Sequence, residues 1–176
     1  MRHYKIPLLI AALIFGNSLF AQKEENKILS KFSFSLNYKE SILKSKSEFK
    51  SQSRELFVGY KIFNSVIIGV DAGIQNEFNT KTNDFNYFNY YGLDLKYQYL
   101  FGKNLLNKKF VVEPYLSINN ANSNINDDHF IFYDVGINLI YAKAPYFYFG
   151  SGVRQNFYSE NTNTTVDWYY SFGLRF

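Results

Sequence analysis

From residue 31 onward, large apolar side chains recur at every second position and no helical period persists. Period two is the signature of strands with one apolar face. It predicts eight of them: Lys31–Ser41, Glu55–Ile62, Val66–Gln75, Tyr87–Phe101, Phe110–Asn119, Phe130–Tyr141, Phe147–Tyr158 and Asp167–Phe176. The connections alternate in character. Ile42–Arg54, Asn76–Asn86, Asn120–His129 and Ser159–Val166 are polar and long, whereas Phe63–Ser65, Gly102–Lys109 and Ala142–Tyr146 are shorter or tighter. Long links on one side and short ones on the other are what an up-and-down antiparallel meander produces. The expected fold class is therefore all-β, an eight-stranded antiparallel up-and-down barrel.

Sorting each strand by parity shows which face is greasy. One face carries Leu36 and Tyr38, Val58 and Tyr60, Val70 and Ile74, Leu93 and Leu95, Leu116 and Ile118, Val135 and Leu139, Phe147 and Phe149, a row without charge up to Tyr38 in the first strand and throughout the other seven. The opposite face collects Lys61, Asp71, Asp94, Lys96, Glu113, Asp134, Arg154 and Arg175. It also holds Gly59, Gly69, Gly73, Gly92, Gly136, Gly150, Gly152 and Gly173, eight of the nine glycines that follow the N-terminal leader. A cation facing lipid near the midplane costs about 2–4 kcal/mol, so a charge-free face suits hydrocarbon. A narrow lumen suits glycines that leave room for longer polar side chains. Aromatics gather at both ends of the strands: Tyr38, Phe88, Phe130, Phe157 and Trp168 toward the long loops, and Phe63, Tyr99, Phe110, Tyr141, Phe147 and Phe176 toward the short turns. Two interfacial girdles are expected of a transmembrane barrel.

The N-terminus changes the picture of where the chain goes. Arg2 and Lys5 precede an apolar run from Ile6 to Phe15, too short to span a bilayer, and Leu19-Phe20-Ala21 offers a cleavage site. The expected organisation is a signal peptide at 1–21, a short tail at 22–30 and a transmembrane barrel at 31–176. The chain has no cysteine, which excludes lipid attachment at Cys, a disulfide framework and thiolate chemistry. The formal charge of +4 owes two of its cations to the leader, so nothing argues for nucleic acid.

The last ten residues, DWYYSFGLRF, place Trp168, Tyr170, Phe172, Leu174 and Phe176 on the lipid side and stop on phenylalanine. This strand resembles the C-terminal insertion signal of bacterial outer-membrane proteins. The whole pattern from residue 31 resembles the small eight-stranded outer-membrane barrels, of the OmpA transmembrane domain and OmpX kind. The resemblance implies residence in the bacterial outer membrane and contact with its lipid and lipopolysaccharide. It also implies handling by the barrel assembly machinery during insertion. Ending at the barrel, the chain is expected to lack the periplasmic peptidoglycan-binding module of some relatives. No particular surface partner is indicated.

Register sharpens the expectation for the lumen. Setting Tyr99 opposite Phe110 brings Lys96 opposite Glu113, and setting Tyr141 opposite Phe147 brings Asp134 opposite Arg154. The eight inner charges are thus expected to form an ion network that plugs the lumen. The expected task is non-enzymatic, in envelope integrity or surface interaction through the outer loops. The alternative is a conduit or binder for small hydrophobic molecules, similar to OmpW-type barrels, using inner aromatics such as Phe57, Tyr115, Phe132, Tyr148, Tyr158 and Tyr169. Cations in the first loop, Lys44, Lys46, Lys50 and Arg54, suit lipopolysaccharide phosphates.

Chemistry-bearing candidates are few. His129 lacks the serine that deacylase-like barrels carry two residues on, since Ile131 stands there. Asp127 and Asp128 beside it make a weak metal motif. Gly150-Ser151-Gly152 is followed by no helix pattern and is no phosphate loop. Asn163-Thr164-Thr165 matches a glycosylation sequon and reads only as exposed loop. No catalytic residue, cofactor or metal is expected.

Overall fold

The computed structural model describes residues 31–44, 49–63, 65–79, 83–101, 110–123, 129–141, 146–158 and 164–176. The expected leader and tail, Lys46, Asp127, Asp128 and Asn163 lie outside the described residues. Among the described residues nine strands are formed: β1 (Phe32–Lys44), β2 (Phe49–Lys61), β3 (Val66–Asn79), β4 (Phe85–Tyr97), β5 (Tyr99–Phe101), β6 (Phe110–Ser123), β7 (His129–Tyr141), β8 (Tyr146–Tyr158) and β9 (Thr164–Arg175). β4 and β5 are two pieces of one wall, interrupted at Gln98, whose backbone N–H bonds to the Ser65 carbonyl at 2.6 Å.

The sheet runs β4-β3-β2-β1-β9-β8-β7-β6-β5, and β4 also pairs with β6. That extra pairing closes an eight-walled antiparallel barrel. First and last strands meet, with Leu36 opposite Leu174 and Tyr38 opposite Phe172. Closure removes free strand edges, so the ladder is satisfied all round.

Burial is inverted relative to a water-soluble protein. Phe149 is 60% exposed, Leu93 59% and Trp168 54%, whereas Glu113 and Asp134 are completely buried. Phe63, Tyr99 and Phe147 are exposed at the short-turn end. Phe88 and Phe130 do not join the outer girdle. Both point into the lumen and are buried, because on their strands they share parity with Tyr90 and Phe132.

The inward glycines have a packing reason. Tyr90 stands opposite Gly73, Tyr115 opposite Gly136, Tyr169 opposite Gly152 and Tyr148 opposite Gly173. A methyl group on Gly136 would lie 2.6 Å from the Tyr115 hydroxyl, and one on Gly152 would lie 2.6 Å from that of Tyr169. Each inner tyrosine thus lies across a glycine floor, which lets large rings fit a bore of eight strands.

Strand lengths depart from the sequence-based expectation. Most of the expected first loop, Ile42–Arg54, is strand, as β1 reaches Lys44 and β2 begins at Phe49. β3 extends to Asn79 and β6 to Ser123. In these outer extensions polar residues occupy both faces, so alternation fades while the backbone ladder continues. One register also differs. Tyr99 stands opposite Val112, not Phe110, and Lys96 therefore stands opposite Tyr115, not Glu113. Alignment of the outward residues is kept in both registers, and the observed one is two residues wider than expected at this turn.

Candidate functional site

The candidate site is the barrel interior. Strand alternation aims Lys39 of β1, Glu55 of β2, Asp134 of β7 and Arg154 of β8 at one another. The Lys39 ammonium lies 2.8 Å from Glu55 and 2.9 Å from Asp134, so a single side chain bridges opposite walls. Arg154 grips Asp134 with two N–H groups, each at 2.7 Å, and also donates to Gln75 of β3. Its guanidinium stacks 3.9 Å from the Phe132 ring centre. Tyr90 of β4 and Asn37 donate to Glu55, the former at 3.1 Å. Asp134 and Arg154 face each other in the β7–β8 register, the alignment expected from sequence.

A second cluster lies toward the short-turn end. Arg175 of β9 pairs with Glu113 of β6, one of its N–H groups lying 2.6 Å away. Gln98 and Asn138 donate to the same carboxylate at 2.9 and 3.3 Å. Gln98 thus takes the place expected for Lys96. Lys96 instead pairs with Asp94 on its own strand at 3.0 Å and sits 3.2 Å from the Phe57 ring centre. Lys61, at the end of β2, is only partly buried.

Sequence reasoning missed Lys39, Glu55, Glu77 and Asp167, all buried. Lys39 had been available, because it shares the parity of Ser33 and Ser35. Glu55 was left at a predicted strand boundary, and Glu77 and Asp167 lay at the loop ends. With them, the buried side chains among the described residues number four cations (Lys39, Lys96, Arg154, Arg175) and seven carboxylates (Glu55, Asp71, Glu77, Asp94, Glu113, Asp134, Asp167). The interior is acid-rich rather than balanced.

Glu55, Asp71 and Asp94 each offer a carboxylate oxygen within 4.8 Å of the others, a spacing a cation would accept. Their surroundings already supply positive partners: Lys39 on Glu55 and Lys96 on Asp94. The Asn119 amide, turned with its nitrogen toward Asp71, donates to it at 2.7 Å. The triad therefore belongs to the ion network.

Toward the long-loop end the lining changes to aromatic. Phe88, Tyr90, Ala121, Phe130 and Phe132 form a buried cluster with Tyr158 against it. Phe88 meets Phe130 edge-on at 5.1 Å, and Tyr90 meets Phe132 edge-on at 5.2 Å. Between these layers, Tyr115 and Tyr169 share a hydroxyl–hydroxyl hydrogen bond of 2.6 Å. Two small cavities remain beside Lys39. Each leaves about 10 Å³ for the centres of water molecules, room for roughly one water apiece.

The outward rows turn polar above the apolar band. Glu40 accepts hydrogen bonds from Tyr170, from Tyr38 at 3.2 Å and from Gln52 at 3.4 Å. Lys50, Gln52 and Arg54 of β2 and Asn89 of β4 are exposed on the same outer face. His129 opens β7, exposed and opposite Asn122. The charge-free outer face therefore ends at this collar.

Among known proteins, no family model matches the chain, and no curated relative does. Solved structures do. The crystal structure of Neisserial surface protein A (NspA) is 19% identical, covering 82% of this chain and 96% of that one, with a TM-score of 0.54. The N-terminal β-barrel domain of Pseudomonas aeruginosa OprF is 17% identical, covering 82% of this chain and 97% of that one, with a TM-score of 0.44. At such identity the likeness to NspA concerns architecture. This chain has the fold of a small eight-stranded antiparallel β-barrel.

Proposed function

We propose that this protein is a non-enzymatic integral barrel of the bacterial outer membrane, with a lumen closed by its own side chains. On this reading it serves envelope integrity or surface interaction, through hairpins held above the bilayer. The observation that carries the closed lumen is Lys39, which links Glu55 on one wall to Asp134 on another at 2.8 and 2.9 Å. A buried cation so held obstructs the bore at mid-height. Around it the aromatic cluster and the Glu113–Arg175 pair occupy the two ends.

Outer-membrane residence is supported by the inverted burial, since a face of exposed leucine, phenylalanine and tyrosine is stable only against hydrocarbon. It also accords with the apolar final strand, which suits recognition by the barrel assembly machinery. Planar-bilayer recording of the folded protein tests closure. Long-lived conductance steps from the unmodified protein would refute it. The expected result is a silent membrane, with brief openings when Lys39→Ala removes the bridge.

A second reading, a binder or conduit for small hydrophobic molecules, draws on the aromatic outer half of the lumen. There Phe88, Phe130 and Phe132 pack on one another, so a guest has to displace rings. Saturable binding of a hydrophobic fluorescent probe, abolished by Phe130→Asp, would favour that reading.

A further inference from the structure

The outermost part of the β2–β3–β4 wall carries aromatic surface that the membrane reading does not use. Phe78 of β3 stands opposite both Lys50 of β2 and Phe85 of β4. The two phenylalanine rings lie 4.7 Å apart and tilted by 39°. Phe85 is 54% exposed, and Tyr87 beside it 43%. Below them, the same outward rows carry Asn76 on β3 and Asn89 on β4 before the apolar band resumes at Ile74 and Tyr91. A polar step thus separates these rings from the lipid-facing surface. At about 3.3 Å per residue and a tilt of about 45°, Phe78 stands roughly 10 Å beyond Ile74 along the membrane normal. That height is above the acyl chains, where the sugars and phosphates of the outer leaflet lie.

We propose that Phe78, Phe85 and Tyr87, with Lys50 and Arg54, form a docking surface for the phosphorylated saccharide headgroup of outer-leaflet lipopolysaccharide. The flat rings match the C–H faces of pyranose sugars. Lys50 and Arg54 are exposed on the adjoining strand and match phosphate in charge. The nearby carboxylate, Glu40, accepts from Tyr38 of β1, Tyr170 of β9 and Gln52 of β2, and its charge also reaches Lys50, so a phosphate bound there competes with Glu40 for that ammonium. The inference rests on the reading that these hairpins stand at the cell surface. It is independent of whether the lumen conducts.

The test uses the full-length folded protein in neutral detergent, titrated calorimetrically with short-core lipopolysaccharide and with the same material after enzymatic dephosphorylation. Saturable binding is expected, with about ten-fold loss in Phe85→Ala/Tyr87→Ala. Lys50→Ala/Arg54→Ala is expected to bind both preparations alike. Folding of each variant is checked by heat-modifiable gel migration. Should a variant misfold, acylation footprinting of the unmodified protein replaces it, with lipopolysaccharide expected to protect Lys50. Unchanged affinity in the aromatic variant, no preference for phosphorylated material, no protection of Lys50, or equal competition by phosphatidylglycerol vesicles would each overturn the proposal. Loss of binding in a barrel that stays silent in bilayers would sink this inference alone. Steady conductance with binding intact would sink only the closed lumen.

Discussion

At the scale of single residues, the side chain on which most depends is Asp134. It is completely buried and serves both Lys39 and Arg154. Asp134→Asn keeps its size and removes its charge, which strands the buried Arg154 guanidinium while Lys39 keeps Glu55. Stranding a buried charge costs about 3–5 kcal/mol. The expected outcome is a drop of that order in unfolding free energy, measured by urea titration in detergent with gel migration as the readout. Replacing exposed Ser151, which faces outward, by alanine is expected to cost far less. Glycine matters here through what crosses it. The tyrosine–glycine pairs, one each in β3–β4 and β6–β7 and two in β8–β9, are legible in retrospect, but parity alone showed only that the glycines face inward.

At the scale of elements, register decides which charges meet. The β7–β8 pairing agrees with alignment of the lipid-facing residues, and Asp134 meets Arg154. The β4–β6 pairing also sets outward residues opposite one another but is shifted two residues from the expected register, and Lys96 loses Glu113 to Gln98 and Arg175. A chain without cysteine allows a direct check. Leu95 stands opposite Leu116, so Leu95→Cys/Leu116→Cys is expected to form a disulfide in the folded barrel. Leu95→Cys/Pro114→Cys, the pairing of the tighter hairpin, is expected to stay reduced, since bridged Cα atoms lie within about 7 Å. Non-reducing gels with alkylation of free thiols distinguish the two.

At the scale of the molecule, the barrel is greasy outside and charged within, with a polar collar where the outer apolar band ends. The height of that collar can be measured. Nitroxide labels at Leu93, Asn89 and Phe85, each on the outer face of β4, are expected to change environment along the strand. Leu93 is expected to be accessible to oxygen dissolved in lipid, and Asn89 and Phe85 to a water-soluble relaxant. Lipid accessibility at all three would move the membrane boundary to the hairpin tip, and the docking surface would become part of the girdle.

The sequence by itself determined the eight walls, the antiparallel order and the face turned outward. Those follow from local rules: a two-residue side-chain period, the prohibitive cost of charge against hydrocarbon, and loop lengths that alternate. It also identified most of the buried charges, as each declares its face by parity. Tertiary structure alone decided the partners. Lys39 and Glu55 gain meaning only when β1, β2 and β7 converge on one axis, and nothing nearby in the chain signals that convergence. Phe88 and Phe130 were assigned to a girdle because they sit near strand ends, and only closure of the barrel showed them filling its outer mouth. The outer hairpins escaped detection for a related reason. Backbone hydrogen bonds hold a ladder together wherever strands are paired, but alternation of side chains is written into sequence only where one face meets lipid and the other does not.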